Sequence, residues 1–99
     1  MRARAADAAA LLARALRKDG AAAGVAATLA DASARPWSSA TFTGERVTLG
    51  LRVEGDPAAW LTALPEADLP MRGWFVADLR VGRADGGAVE LEALVLRAD

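Results

Sequence analysis

Hydrophobic positions recur along this chain with two spacings, and the switches between them set the order of elements. Over residues 2–18, Ala5, Ala8, Ala9, Leu12, Ala15 and Leu16 fall on one arc of a helical wheel, with Arg4, Asp7, Arg14, Arg17 and Lys18 opposite. Ala, Leu and Arg are strong helix formers, so the pattern predicts an amphipathic helix. Arg17 and Lys18 would suit the negative end of its dipole, and Gly20 is placed to end it. Val25, Ala27 and Leu29 then alternate with Ala26, Thr28 and Ala30, which predicts a strand over 23–31. Arg35-Pro36 punctuates the chain after that strand, because the residue before Pro is pushed to extended backbone.

From Trp37 onward the period of two is clearer. Thr43-Gly44-Glu45-Arg46 predicts a hairpin with a two-residue loop, its Gly in the first central position that a type II′ turn prefers. That register pairs Phe42 with Val47, Ala40 with Leu49 and Ser38 with Leu51. Leu49, Leu51 and Val53 then form an apolar ladder, with Arg46, Thr48, Arg52 and Glu54 on the other face. Asp56-Pro57 reads as an N-cap followed by Pro at the first helical position. The short helix it opens carries Trp60, Leu61 and Leu64 on one side and ends at Pro65, after which Leu69 is expected in the core.

Two more strands, about 73–83 and 87–97, flank Ala84-Asp85-Gly86 as a three-residue hairpin loop. The pattern sets Val81 against Val89, Leu79 against Leu91, Ala77 against Ala93 and Phe75 against Val95. The predicted order is α-β-β-β-α-β-β in one α+β domain spanning 1–99. Its simplest architecture is a two-layer α/β sandwich, a mainly antiparallel five-stranded sheet with both helices on one face. A ferredoxin-like arrangement is the competing topology.

Composition narrows the chemistry. The 99 residues include 26 Ala, eleven Arg and one Lys, with no Cys, His, Tyr, Asn, Gln or Ile, a bias like that of GC-rich bacterial genomes. Without Cys or His, zinc fingers, redox pairs, haem ligation and Ser-His or Cys-His devices are excluded. The stretch from Ala8 to Ala13, between Asp7 and Arg14, is too short for a signal-peptide core. The expectation is therefore a cytoplasmic protein, mature from its start, without a membrane span.

Charge argues against nucleic acid. Residues 21–99 carry seven basic and eleven acidic side chains, so the platform where Arg46, Arg52, Arg72, Arg80 and Arg83 would join Trp74 is net acidic. The excess of positive charge sits in the first helix, whose apolar side is mostly Ala and suits a solvated face better than a membrane anchor. In the predicted register Asp78 opposes Glu92, with Glu90 diagonal and Arg80 across from Glu90. Three exposed carboxylates without a carbonyl cage read as a solvated sheet face, so no metal and no cofactor are expected. Ser33, Ser38 and Ser39 lack a His and Lys18 faces solvent, so no catalytic residues are assigned.

One feature stands above background. On the outward face of the last hairpin Trp74 opposes Leu96 and Val76 opposes Leu94, making both faces of the sheet apolar at that end. Either a loop carrying Trp37 or Leu69 covers this patch, or Trp74, Val76, Leu94 and Leu96 form a protein interface. The expected partner is a second copy of the chain, as a homodimer or larger homo-oligomer, or another protein.

The first helix, the strands after it, and the run from Trp60-Leu-Thr-Ala-Leu through Arg72-Gly-Trp-Phe-Val-Ala-Asp-Leu-Arg-Val resemble small tailed-phage tail-terminator and tail-completion proteins. In that family a helix and an Ala/Leu-rich second helix flank strands that end in a long antiparallel hairpin. This chain has a shorter second helix and a tighter final hairpin. The resemblance covers most of the chain in element order and implies a ring-forming virion component without catalysis. The residues themselves point to a non-catalytic, self-associating protein–protein interaction or assembly domain. A phage-like tail subunit and a single-strand nucleic-acid module are the alternatives.

Overall fold

A computed structural model describes residues 4–98, with side chains described from residue 8. Arg2 and Ala3 at the predicted helix start, and the side chains of residues 4–7, lie outside this description. The elements are α1 (Arg4–Ala22), β1 (Ala26–Ser38), β2 (Thr43–Glu54), α2 (Ala58–Ala63) with a 3₁₀ turn (Leu64–Glu66), β3 (Trp74–Asp85) and β4 (Ala88–Arg97). The sheet has four strands in the order β1-β2-β4-β3, and every neighbouring pair is antiparallel. The described residues therefore form an α+β fold, with two α-helices and one antiparallel sheet.

The first helix runs past its expected end. Gly20 lies inside it, buried beneath the Trp60 ring, and Arg17 and Lys18 are not in the last turn. The stop is Gly24, whose φ of 80° is left-handed. The Val25 N–H donates to the Gly20 carbonyl (2.8 Å) and the Gly24 N–H to that of Ala21 (3.1 Å), the paired bonds of a Schellman motif. The N-cap position falls on Pro57 and not on Asp56, because the first helical bond, from the Leu61 N–H, goes to the Pro57 carbonyl and the helix starts at Ala58. Pro57 has helical backbone (φ −85°, ψ −3°), and the Ala58 N–H reaches Asp56 Oδ1 at 3.4 Å, a long contact for a cap.

The strand predicted over 23–31 runs on to Ser38 as one 13-residue strand, and the separate strand expected to pair Ser38, Ala40 and Phe42 with Leu51, Leu49 and Val47 does not form, which is why the sheet has four strands and not five. Pro36 does not break it. β1 lies at the edge of the sheet, where a missing N–H costs no ladder bond, and the extended backbone that Pro imposes on Arg35 is strand geometry. The turn falls at residues 39–42, four positions before the predicted loop. Ser39 Oγ accepts from the N–H groups of Thr41 (3.3 Å) and Phe42 (3.1 Å), and the Ser39 N–H donates to the Phe42 carbonyl (2.8 Å). Thr43 to Arg46 are thus inside β2, where Val47 pairs with Ala34 and Leu49 with Ala32.

The second hairpin turns at Gly86-Gly87, later than the predicted Ala84-Asp85-Gly86 loop. Gly86 and Gly87 have φ of 59° and 84°, as a two-residue type I′ loop requires, and Asp85 pairs with Ala88. Strand β3 is interrupted twice, with Ala77 and Gly82 as extra residues between paired positions, and β1 once, at Ala30. Each bulge reverses which face the following side chains take.

One core forms on one face of the sheet. Leu12 and Leu16 of α1 meet Val47, Leu49, Leu91 and Val95, all essentially inaccessible, and Trp60, Leu64 and Leu69 complete the cluster. Burial of each Leu stabilises by about 1.5–3 kcal/mol. Trp60 Nε1 donates to Asp19 Oδ2 at 2.8 Å, tying α2 to the end of α1. Among the described residues, no helix is long and apolar enough to cross a membrane.

Candidate functional site

Residues directly paired in an antiparallel sheet share a face, so the register assigns every strand residue to one side. The side away from the helices carries five rows that cross all four strands. In the order β1, β2, β4, β3 they are Trp37–Gly44–Leu96–Phe75, Arg35–Arg46–Leu94–Asp78, Ser33–Thr48–Glu92–Arg80, Asp31–Gly50–Glu90–Arg83 and Thr28–Arg52–Ala88–Asp85. The charged members of these rows are all solvent-exposed. This outer face is the candidate site.

Its first row is apolar. Leu96 is buried yet lies outside the main core cluster, because it seats against the outer surface of Gly44 with its Cδ2 2.8 Å from where a Cβ would stand. Phe75 flanks Leu96, and Phe42 from the turn sets its ring edge-to-face on Phe75, with centroids 6.1 Å apart. The register places Trp37 on the other side of Gly44, and Leu94 one row further along. Phe42 and Phe75 remain 43% and 40% exposed, well above the level of a packed core aromatic.

The predicted interface is half corrected by these assignments. Leu94 and Leu96 lie on the outer face, but their partners across β3 are Asp78 and Phe75. Trp74 and Val76 are on the helix face, where both pack against the core, because the bulge at Ala77 reverses the alternation. Trp74 pairs with Arg97, whose guanidinium sits 5.0 Å from the ring centroid. Trp37 does reach the outer face, as a strand residue and not as a loop, whereas Leu69 is in the core. Sequence reasoning missed Phe42 and Phe75. The signal for Phe42 was the Ser39 side chain, a turn former three residues before it.

The rest of the face is charged and balanced. Its five full rows hold five arginines and five carboxylates, and Glu54 lies beyond them. The turn at Gly86-Gly87 sets Arg83 opposite Glu90, and the bulge at Gly82 then brings Arg80 opposite Glu92, replacing the expected Asp78–Glu92 apposition. Arg80 Nη2 donates to Glu92 Oε1 at 2.8 Å. That bond, with the charges of Arg80, Arg46 and Arg35, holds the Glu92 carboxyl below the usual carboxylate range, and Glu92 raises Arg80 in turn. The acidic trio is therefore dispersed among arginines, and among the described residues no group of three Asp or Glu is placed to hold a metal ion. Of the arginines grouped with Trp74 as a nucleic-acid platform, Arg46, Arg52, Arg80 and Arg83 share the outer face, while Arg72 sits in the turn before β3. Comparisons with protein-family models, curated proteins and solved structures return no match to this chain.

Proposed function

We propose that this chain is a non-catalytic protein–protein interaction domain that self-associates through the outer face of its sheet. The observation that carries this reading is the apolar end of that face. Phe42 and Phe75 stand exposed beside Leu96, Leu94 and Trp37 on a surface to which neither helix contributes core contacts. Contiguous exposed aromatics of this kind mark contact surfaces. Buried residues of both helices, among them Leu12, Leu16 and Trp60, belong to the core cluster with Val47, Leu49 and Leu91, and this supports the reading of the other face as free for a partner. A nucleic-acid role ranks lower, because the five rows hold as many carboxylates as arginines and phosphate binding needs an excess of positive charge.

The test is solution mass by light scattering across a concentration series. The wild type should exceed the 10.2 kDa of one chain. The double variant Phe42→Ser, Phe75→Ser should return to one chain with its circular dichroism unchanged. A wild type that stays at one chain mass throughout overturns the reading. A ring-forming assembly subunit, the class implied by the phage-tail resemblance, would show a mass of many chains in the same measurement.

A further inference from the structure

The outer face is divided by charge along the line between β2 and β4. In the five full rows, the β1–β2 half presents Arg35, Arg46 and Arg52 against Asp31. The β4–β3 half presents Asp78, Asp85, Glu90 and Glu92 against Arg80 and Arg83. One half is net positive and the other net negative by the same amount. The apolar row lies across one end of both halves.

A surface with this layout is complementary to itself under one symmetry operation. We propose that its occupant is a second copy of this chain, stacked face to face about a two-fold axis that runs parallel to the strands between β2 and β4. This rests on the self-association reading above and specifies its partner and geometry. The axis sends β1 over the partner's β3 and β2 over the partner's β4, so each positive half covers a negative one. It also keeps every row over its own counterpart. Trp37 then faces Phe75 of the other copy, Arg35 faces Asp78, Asp31 faces Arg83, and Thr28 faces Asp85. Near the axis Gly44, with no side chain, faces Leu96.

The alternative in-plane axis, perpendicular to the strands, fails on the same residues. It lays β1 over β1 and β2 over β2, setting positive half on positive half. It also lays the apolar row on the row of Arg52 and Asp85. Like-charge apposition across an interface costs several kcal/mol, which is enough to choose between the axes. Stacked sheets sit about 10 Å apart and cross at about 30°, so pairs far from the axis slide while the halves stay opposed.

The area suffices. Four strands about 4.8 Å apart and five same-face positions about 6.8 Å apart give roughly 600 Å² per copy. The two copies together reach about 1,200 Å², above the roughly 1,000 Å² that a specific interface needs.

Charge reversal with mixing tests the axis. Arg35 and Asp78 stand at opposite edges of one row, about 14 Å apart within a chain, beyond the screening length at physiological salt. Arg35→Glu alone places two like-charge contacts in the dimer, and so does Asp78→Arg alone. Each should weaken dimerisation at least about tenfold. An equimolar mixture of the two variants should recover the dimer, because each altered residue then faces its opposite. Asp31→Arg and Arg83→Glu form a second such pair, which serves if either first variant folds poorly. Dimers that persist in all the single variants overturn the stacked geometry and leave self-association through another surface. Variants that are monomeric alone and remain so when mixed overturn this axis. A monomeric wild type overturns both the axis and the self-association reading.

Discussion

Gly44→Ala is the substitution that most directly probes how the apolar end is built. Gly44 sits inside β2 opposite Leu96, and its φ is not in the left-handed region, so only space requires glycine there. An added Cβ would press into the Val95 carbonyl oxygen and lie 2.8 Å from Leu96 Cδ2 and 2.9 Å from Leu96 Cα. The Leu96 side chain can rotate away, but the Val95 carbonyl belongs to the backbone and moves only if the end of β4 draws back from β2. Overpacking of this kind costs about 1–3 kcal/mol, and a weakened ladder bond adds about 1 kcal/mol. The lower entropy of the unfolded chain with Ala offsets roughly 0.5–1 kcal/mol. The net loss is about 2 kcal/mol, which lowers the melting temperature by about 8–16 °C in a domain of this size. Thermal unfolding followed by circular dichroism measures it, with Gly82→Ala alongside. At Gly82 a Cβ would meet only the Glu90 carbonyl oxygen, at an ordinary 3.5 Å, so that variant should melt at or slightly above the wild type. A Gly44→Ala protein as stable as the wild type would refute the close approach of β2 and β4.

Three further outcomes are expected from the geometry. Trp74→Glu should destabilise by about 2–3 kcal/mol in urea unfolding, because the ring packs on the core and carries Arg97, and stability equal to wild type would place Trp74 on the wrong face. Asp56→Ala should cost only about 0.5 kcal/mol, since its 3.4 Å contact to Ala58 is at the outer limit of a cap, and a loss above about 1 kcal/mol would indicate a tighter one. By NMR the Glu92 carboxyl should titrate below the usual carboxylate range and return towards it in Arg80→Met. Its pairing holds above the unfolded carboxylate pKa and is lost as pH falls through the depressed folded value, so a titration unmoved by Arg80→Met would sink that assignment.

The elements were legible where periodicity and stop signals agreed. The α1 arc, the Leu49-Leu51-Val53 ladder and the burial of Trp60, Leu64 and Leu69 follow from side-chain pattern alone. What failed was phase. A single inserted residue at Ala30, Ala77 or Gly82 flips every side chain beyond it, yet Ala and Gly carry no side-chain preference that would mark the insertion. The face of Trp74 and Val76 depended on one such residue, and with it half of the expected interface. Pro36 misled for a different reason. Its effect on a strand depends on whether that strand is central or at an edge, and edge position is a property of topology.

The irregularities in β1 and β3 have a consequence for how the protein behaves when concentrated. These are the two strands with an open side, and a flat open strand is a template on which further chains can add. β1 presents a bulge at Ala30 and a proline without an N–H at Pro36, and β3 has bulges at Ala77 and Gly82 with exposed Asp78, Arg80, Arg83 and Asp85 between and after them. A bulged, proline-bearing or charged margin offers an incoming strand no continuous set of hydrogen bonds. Lateral addition, the route to fibres, is thereby obstructed on both sides, so crowding should produce more particles of fixed size and not longer ones.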